Sequence, residues 1–501
     1  MYSFLISVVA LILGYLFYGA LVDRIFGPNP ARVAPSVKKN DGVDFVAMPN
    51  WKVYMIQFLN IAGTGPIFGA IMGAKFGPSA YLWIVLGSIF AGGVHDYFSG
   101  MLSVRHEGGS MPFIVGHYLG RRTKKLMLVF SLVLLLLTGT VFVYSPSIIL
   151  NNLAGTDAFG GTMMWVFVIL IYYIFATLLP VDKLIGKIYP LFAFALLFMT
   201  VSLTVCLLLK WPSIPEVWQG LGNRGVEAGL FGDNPQPIYP YIFITIACGA
   251  LSGFHSTQCP IMARCLKNEK MGRPIFYGAM ITEGIVALVW AAVSSYFFYD
   301  GGAAEVGSSL KAAAPEVVTS VSKSWLGIFG GILAILGVVA APITSGDTAF
   351  RSARLTLAEF FHLDQKPRNN RLVIAVPIFA VTALLLWFNI ADADGFNVIW
   401  RYFGLANQTL ACLVLWSITV YLTINKKDKL YYLLTLPVAA FVSAFCMTYV
   451  CISDEGFNIS DEWSLPISII TFFASIALFY LWKYRKGLKY RRKLECQRTS
   501  C

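Results

Sequence analysis

The sequence predicts an all-α protein that crosses a membrane many times. Three observations carry this reading. Of 501 residues, 57% are hydrophobic and only 13% charged, with a mean hydropathy of +0.68; soluble domains carry roughly 25% charged residues. Apolar runs of about 20 residues, the length that spans a bilayer, recur from end to end. Lys and Arg cluster in alternate connections between those runs.

Thirteen spans follow: 3–23, 53–74, 79–104, 125–150, 162–180, 188–209, 239–262, 275–298, 325–348, 371–390, 397–424, 430–452 and 464–484. With the N-terminus outside, the cytoplasmic connections and the C-terminal tail hold 32 of the 38 Lys and Arg residues. The other six are Lys75, Lys210, Arg224, Lys311, Lys323 and Arg401. This is the positive-inside pattern. The net charge of +12 therefore reports topology, not a nucleic-acid partner. A multi-pass membrane protein is expected, with an outside N-terminus and a cytoplasmic C-terminus. The first run lacks a basic n-region and a small-residue cleavage site, so it reads as a retained helix rather than a signal peptide. The nine cysteines are scattered with no metal-site or disulfide spacing. No metal site and no cofactor are expected, beyond Na+ or H+ as a coupling ion.

Span 2 contains Asn-Ile-Ala-Gly-Thr-Gly-Pro-Ile-Phe-Gly, residues 60–69. Pro66 lacks an N–H and clashes one turn back, at Ala62. Gly63 and Gly65 remove what holds a helix straight. The helix is expected to break near mid-membrane, where irregular backbone survives only inside protein or beside a water-filled cavity. Span 7 carries a second cluster, from Ala247 to Pro260, with Gly249, Gly253, His255, Ser256 and Thr257. Five spans separate the two breaks, so spans 2–6 and 7–11 cross in opposite senses as an inverted pair. Paired breaks of this kind point to a midplane binding site in secondary transporters. The organisation expected is an N-terminal span and connection (1–52), two five-helix repeats (53–210 and 239–424) joined by an extracellular connection (211–238), two further spans (425–484) and a basic tail (485–501).

The site residues follow from the breaks. A half-helix starting near Pro66 points free N–H groups and a positive dipole end at a cavity, which suits a carboxylate. Gly63, Thr64 and Gly65 are expected to let substrate approach bare backbone. His255, Ser256 and Thr257 occupy the matching break, with His255 donating to a carboxylate or carrying a coupled proton. Glu283 is the clearest carboxylate inside a span and reads as a proton relay or a paired structural charge. His95 and Asp96 read as part of a cytoplasmic gate, with Arg105, Arg351 and Arg354 available for ion pairs. Asp347 joins that gate. Asn407 and Gln408 offer amides to the cavity or to neighbouring helices. Tyr144 is placed to cover substrate.

Several long stretches in order resemble the carbon starvation (CstA) family of membrane transporters. They are Asn60–Gly69, Trp83-Ile84, Gly92–Ser103, Arg105-His106 with Gly109-Ser110, Gly249–Pro260, Ala341–Arg354 and Phe403–Gln408. The resemblance implies the amino acid–polyamine–organocation superfamily and its LeuT-type five-plus-five fold. It also implies a sodium site from hydroxyls of Thr344 and Ser345 and carbonyls near Leu59 and Ala62. Hard cations favour such oxygen ligands. Members are described as starvation-induced peptide uptake systems, and some as proton-driven pyruvate importers. The expected function is cation-coupled import of a small carboxylate or short peptides by alternating access. A channel fits paired breaks less well. An intramembrane enzyme lacks a protease-like His-Glu-x-x-His pattern, and a nutrient sensor would need an output domain. The expected partners are the small substrate and the lipid bilayer.

Overall fold

The computed structural model describes residues 1–499 apart from 43, 155–160, 179–180, 233–235, 366, 392–394 and 426–429. Among the described residues all regular structure is helical. Eighteen helices have eight residues or more: α1 Tyr2–Leu13, α2 Gly19–Phe26, α3 Asn50–Ile61, α4 Gly65–Ala74, α5 Ser79–Leu86, α6 Gly93–Arg105, α7 Met111–Leu119, α8 Arg121–Ala154, α9 Gly161–Leu178, α10 Val181–Lys210, α11 Ile238–Thr245, α12 His255–Ala263, α13 Gly278–Tyr299, α14 Ala314–Phe361, α15 Arg368–Ala391, α16 Gly395–Asn425, α17 Leu436–Ile452 and α18 Ser464–Thr499. By length and composition, eight described segments are apolar enough to cross a membrane, or nine if the bent pair α3–α4 counts as one.

Two helices break where glycine and proline cluster. Helix α3 ends at Ile61, and Ala62 leaves helical geometry at ψ 50°. Helix α4 restarts with Gly65-Pro66 in its first turn, where a missing N–H forfeits no helical bond. The two axes differ by 45°. Helix α11 ends at Thr245, Gly249 takes a left-handed φ of 88°, and α12 starts at His255. A third bend was not read from sequence. Helix α14 turns at Gly327, whose φ of 64° is also left-handed, and runs on to Phe361.

The breaks lie at the centre. Helix α4 packs on α13, α3 on α10 and α13, α12 on α6, and α14 on α8 and α10. By contrast, the apolar segment of α18 is little buried, with 11% of it inside the protein. Connections that the charge count puts on one side meet one another. Lys38 pairs with Glu107 at 3.0 Å and Arg32 with Glu269 at 3.3 Å. Arg264 donates to the Gly108 carbonyl at 2.8 Å, and Arg354 lies 3.6 Å from Asp44. At the opposite end the Met1 amine pairs with Glu216, and Lys210 pairs with Glu305 at 2.7 Å. Tyr299 there donates to the Lys75 carbonyl at 2.7 Å.

Candidate functional site

The two breaks are pressed together. A Cβ added at Gly65 would fall on the Cys248 side chain, and one at Gly249 would meet Pro66 at 3.4 Å. One at Gly69 would stand 2.8 Å from the Thr245 carbonyl. The glycines of one break thus admit the chain of the other.

A line of buried side chains starts from this contact. His95 Nδ1 is 2.8 Å from one oxygen of Asp96. The other Asp96 oxygen is 2.8 Å from His255 Nδ1. His255 Nε2 faces Glu283 at 3.4 Å, and the second Glu283 oxygen accepts the Gly249 N–H at 3.1 Å. All four side chains are fully buried. One strand of this network, the Gly249 bond, holds an amide that the break has freed. Such groups must be satisfied within a membrane.

Asn407 and Gln408 do the same work from α16. Asn407 Oδ1 accepts from Phe254 N at 2.7 Å and Ser252 Oγ at 3.1 Å. Gln408 Nε2 donates to the carbonyls of Leu251 at 2.9 Å and Phe243 at 3.1 Å.

Cavities flank the buried centre at both ends. One of 880 Å3 is lined by Lys39, Asp44, Arg105, Arg264 and Glu359. Another, of 310 Å3, is lined by Lys75, Tyr241, Trp400, Arg401 and Tyr449. A void of 20 Å3 lined by Thr257, Pro260, Arg264 and Ser352 shares Arg264 with the first cavity.

The sequence profile described as carbon starvation protein CstA matches residues 1–158, 152–325 and 300–449. The chain belongs to the CstA family. An uncharacterised membrane protein of Haemophilus influenzae is 46% identical over 337 residues, covering 59% of this chain and 91% of that one. The peptide transporter CstA of Campylobacter jejuni is 24% identical over 552 residues, covering 88% and 78%. A manganese transporter of Eremococcus coleocola superposes with a TM-score of 0.54 at 13% identity, covering 89% of this chain and 98% of that one. That likeness shows the fold, which is one that LeuT-type transporters share. This CstA-family chain is accordingly a multi-pass membrane transporter and not an enzyme.

Several expected roles meet a different geometry in the CstA-family chain. The Cβ face of Gly65 is filled by Cys248, and that of Gly63 by the Phe142 ring at 2.7 Å and Ser345 Oγ at 3.3 Å. Neither glycine presents that face to open space, because each admits a side chain from a distant part of the chain. Asp96 bonds His255, while Arg351 and Arg354 lie near Asp44 and Arg105 donates to Tyr421. The His95–Asp96 pair therefore bonds within the buried centre rather than to those arginines. Asp347 is buried too and accepts from Tyr189 at 2.6 Å. The amides of Asn407 and Gln408 are engaged by the α11–α12 break, and the hydroxyls of Ser256 and Thr257 cap Gly253 and Phe254 carbonyls at 2.6 and 2.7 Å. Tyr144 packs against Phe396, ring to ring at 6.0 Å.

Other expected groups do converge. Ser345 Oγ donates to the Leu59 carbonyl at 2.9 Å, across 286 residues. Thr344 instead bonds back to Ala340 and Ala341. Two polar residues at the centre, Gln57 and Asn60, escape a reading by break alone. Gln57 and Asn60 share one face of α3 at a three-residue spacing, and both Asn60 amide atoms are buried without a bond partner. Thr64 Oγ1 is in the same state. Cys248, unremarkable by spacing, lies with His255 and Glu283.

Proposed function

We propose that this transporter imports a small carboxylate such as pyruvate, or short peptides, by cation-coupled alternating access. One observation carries the reading: two broken helices interlock at a fully buried centre between cavities at opposite ends. Such a centre is where an alternating-access protein holds its substrate. The Campylobacter relative is a peptide transporter, which favours a peptide. The unbonded amide of Asn60 and hydroxyl of Thr64 supply polar contacts there, and the first turn of α4 supplies N–H groups for a carboxylate.

In this reading thirteen spans cross a bacterial plasma membrane, with the N-terminus outside and the C-terminus in the cytoplasm. Spans 2–6 and 7–11 are the inverted five-helix repeats. The broken helices and their neighbours rock against α8, α9, α14 and α15. Na+ sits where Ser345 approaches the Leu59 carbonyl, near the carbonyl of Ala62, since a hydroxyl and carbonyls suit a hard cation. A proton is the alternative coupling ion.

The test is uptake of labelled pyruvate and of a labelled dipeptide into proteoliposomes, under an imposed Na+ or pH gradient. Uptake of at least one under one gradient is expected. Folded protein that takes up neither under either gradient overturns the reading.

A further inference from the structure

We propose that Cys248, His255 and Glu283 form a binding site for a divalent transition metal of the zinc type, clasping the α11–α12 break to α13. A thiol sulfur, an imidazole nitrogen and a carboxylate oxygen here lie within 4.8 Å of one another. Zinc and cobalt take this donor set, and neither calcium nor magnesium favours the sulfur.

The polar atoms are oriented for it. Asp96 engages His255 Nδ1 at 2.8 Å. With Nδ1–H donating to that carboxylate, Nε2 presents its lone pair to the cluster. Nε2 and Glu283 Oε2 are both fully buried, and neither has a hydrogen-bond partner. Leaving buried polar atoms unbonded is costly. One cation between them and the sulfur satisfies both at once.

Each ligand also has an outer partner that fixes it. Asp96 holds His255, and the Gly249 N–H holds Glu283 Oε1 at 3.1 Å. Asn407 Nδ2 approaches Cys248 Sγ at 3.6 Å, and Ser252 Oγ lies 3.4 Å from it. A carboxylate behind a histidine is the usual outer shell of a metal-bound imidazole. A plain His255–Glu283 ion pair, Nε2 facing Oε2 at 3.4 Å, leaves the sulfur beside it without a role.

Position gives the ion a consequence. Cys248 lies within the non-helical segment, three residues past the end of α11, His255 opens α12, and Glu283 stands on the unbroken α13. A bound metal ties the irregular segment and the start of α12 to α13 and favours the arrangement seen here. Three protein ligands leave a fourth position to water or another ligand.

The experiment uses the full chain, purified without a polyhistidine tag, stripped by chelator and loaded with Zn2+ or Co2+ alone. Elemental analysis should give about one Zn2+ per chain, with higher thermal stability on loading. Co2+ should show a near-ultraviolet thiolate charge-transfer band. Cys248→Ser should abolish that band, Glu283→Gln should weaken binding tenfold or more, and Cys259→Ser should change neither. X-ray absorption of the Zn2+-loaded wild type needs no variant, and should show one sulfur at about 2.3 Å. A wild-type shell of only nitrogen and oxygen, no retained metal, or a band that survives Cys248→Ser overturns the site. None of these readings requires transport, so they stand or fall apart from the substrate proposal.

Discussion

Gly65 lies directly against Cys248, so closely that a methyl group at 65 would occupy the space of the cysteine side chain. This contact joins the two breaks, 183 positions apart in sequence. Glycine at 65 is thus required for the approach of two chain segments. The same contact places the thiol beside the broken backbone.

Gly65→Val should abolish transport and lower the unfolding temperature in detergent. Overpacking a tight core costs about 1–3 kcal/mol. Cys248→Gly in the same chain should restore much of the lost stability, since it empties the space that the new side chain needs. Unfolding scans of the single and double variants read this directly; a stable Gly65→Val variant would show that the contact is loose.

Asn407→Leu should destabilise by about 1–3 kcal/mol, the cost of stranding buried donors. The donors are the Phe254 N–H and the Ser252 hydroxyl, both held by Asn407 Oδ1. A second effect is expected in hydrogen exchange. Amides of residues 250–256 should exchange faster than in the wild type, while those of α13 should not. Unchanged exchange would mean that the break holds itself.

Ser345→Ala should remove Na+-dependent thermal stabilisation. Its hydroxyl links α14 to the Leu59 carbonyl at the end of α3. Loss of the bond alone costs about 1 kcal/mol whatever the salt. Melting in NaCl against choline chloride separates the two effects. A Na+ shift retained in Ser345→Ala would move the cation elsewhere or leave the proton as the coupling ion.

Asp44→Asn should loosen the end of the molecule that holds the larger cavity. Arg351 and Arg354 are fully buried and lie 3.8 and 3.6 Å from Asp44. Removing one partner of a buried charge group costs about 3–5 kcal/mol. Maleimide labelling of Cys265, which is buried beside this connection, should become faster. An unchanged rate would show that the arginines are held by other groups.

Much of the architecture was legible in order along the chain. Composition and apolar run length determined an all-helical membrane protein, because a bilayer admits little else. Gly63-Thr64-Gly65-Pro66 located one break, since proline and glycine act through local backbone. The cluster from Ala247 to Pro260 located the other. The motifs carried family membership.

Which side chains meet was decided by tertiary structure alone. Asp96 precedes His255 by 159 positions and reads locally as a neighbour of nearby arginines, yet it bonds the histidine. Asn407 and Gln408 read as amides for the cavity or for neighbouring helices until the freed carbonyls and amides of the α11–α12 break are placed beside them. Cys248 carries no spacing signal because it lies in the irregular segment while its partners stand on α12 and on α13. A broken helix announces itself in sequence because its cause is local. The groups that satisfy the break come from distant helices, so only packing assigns them.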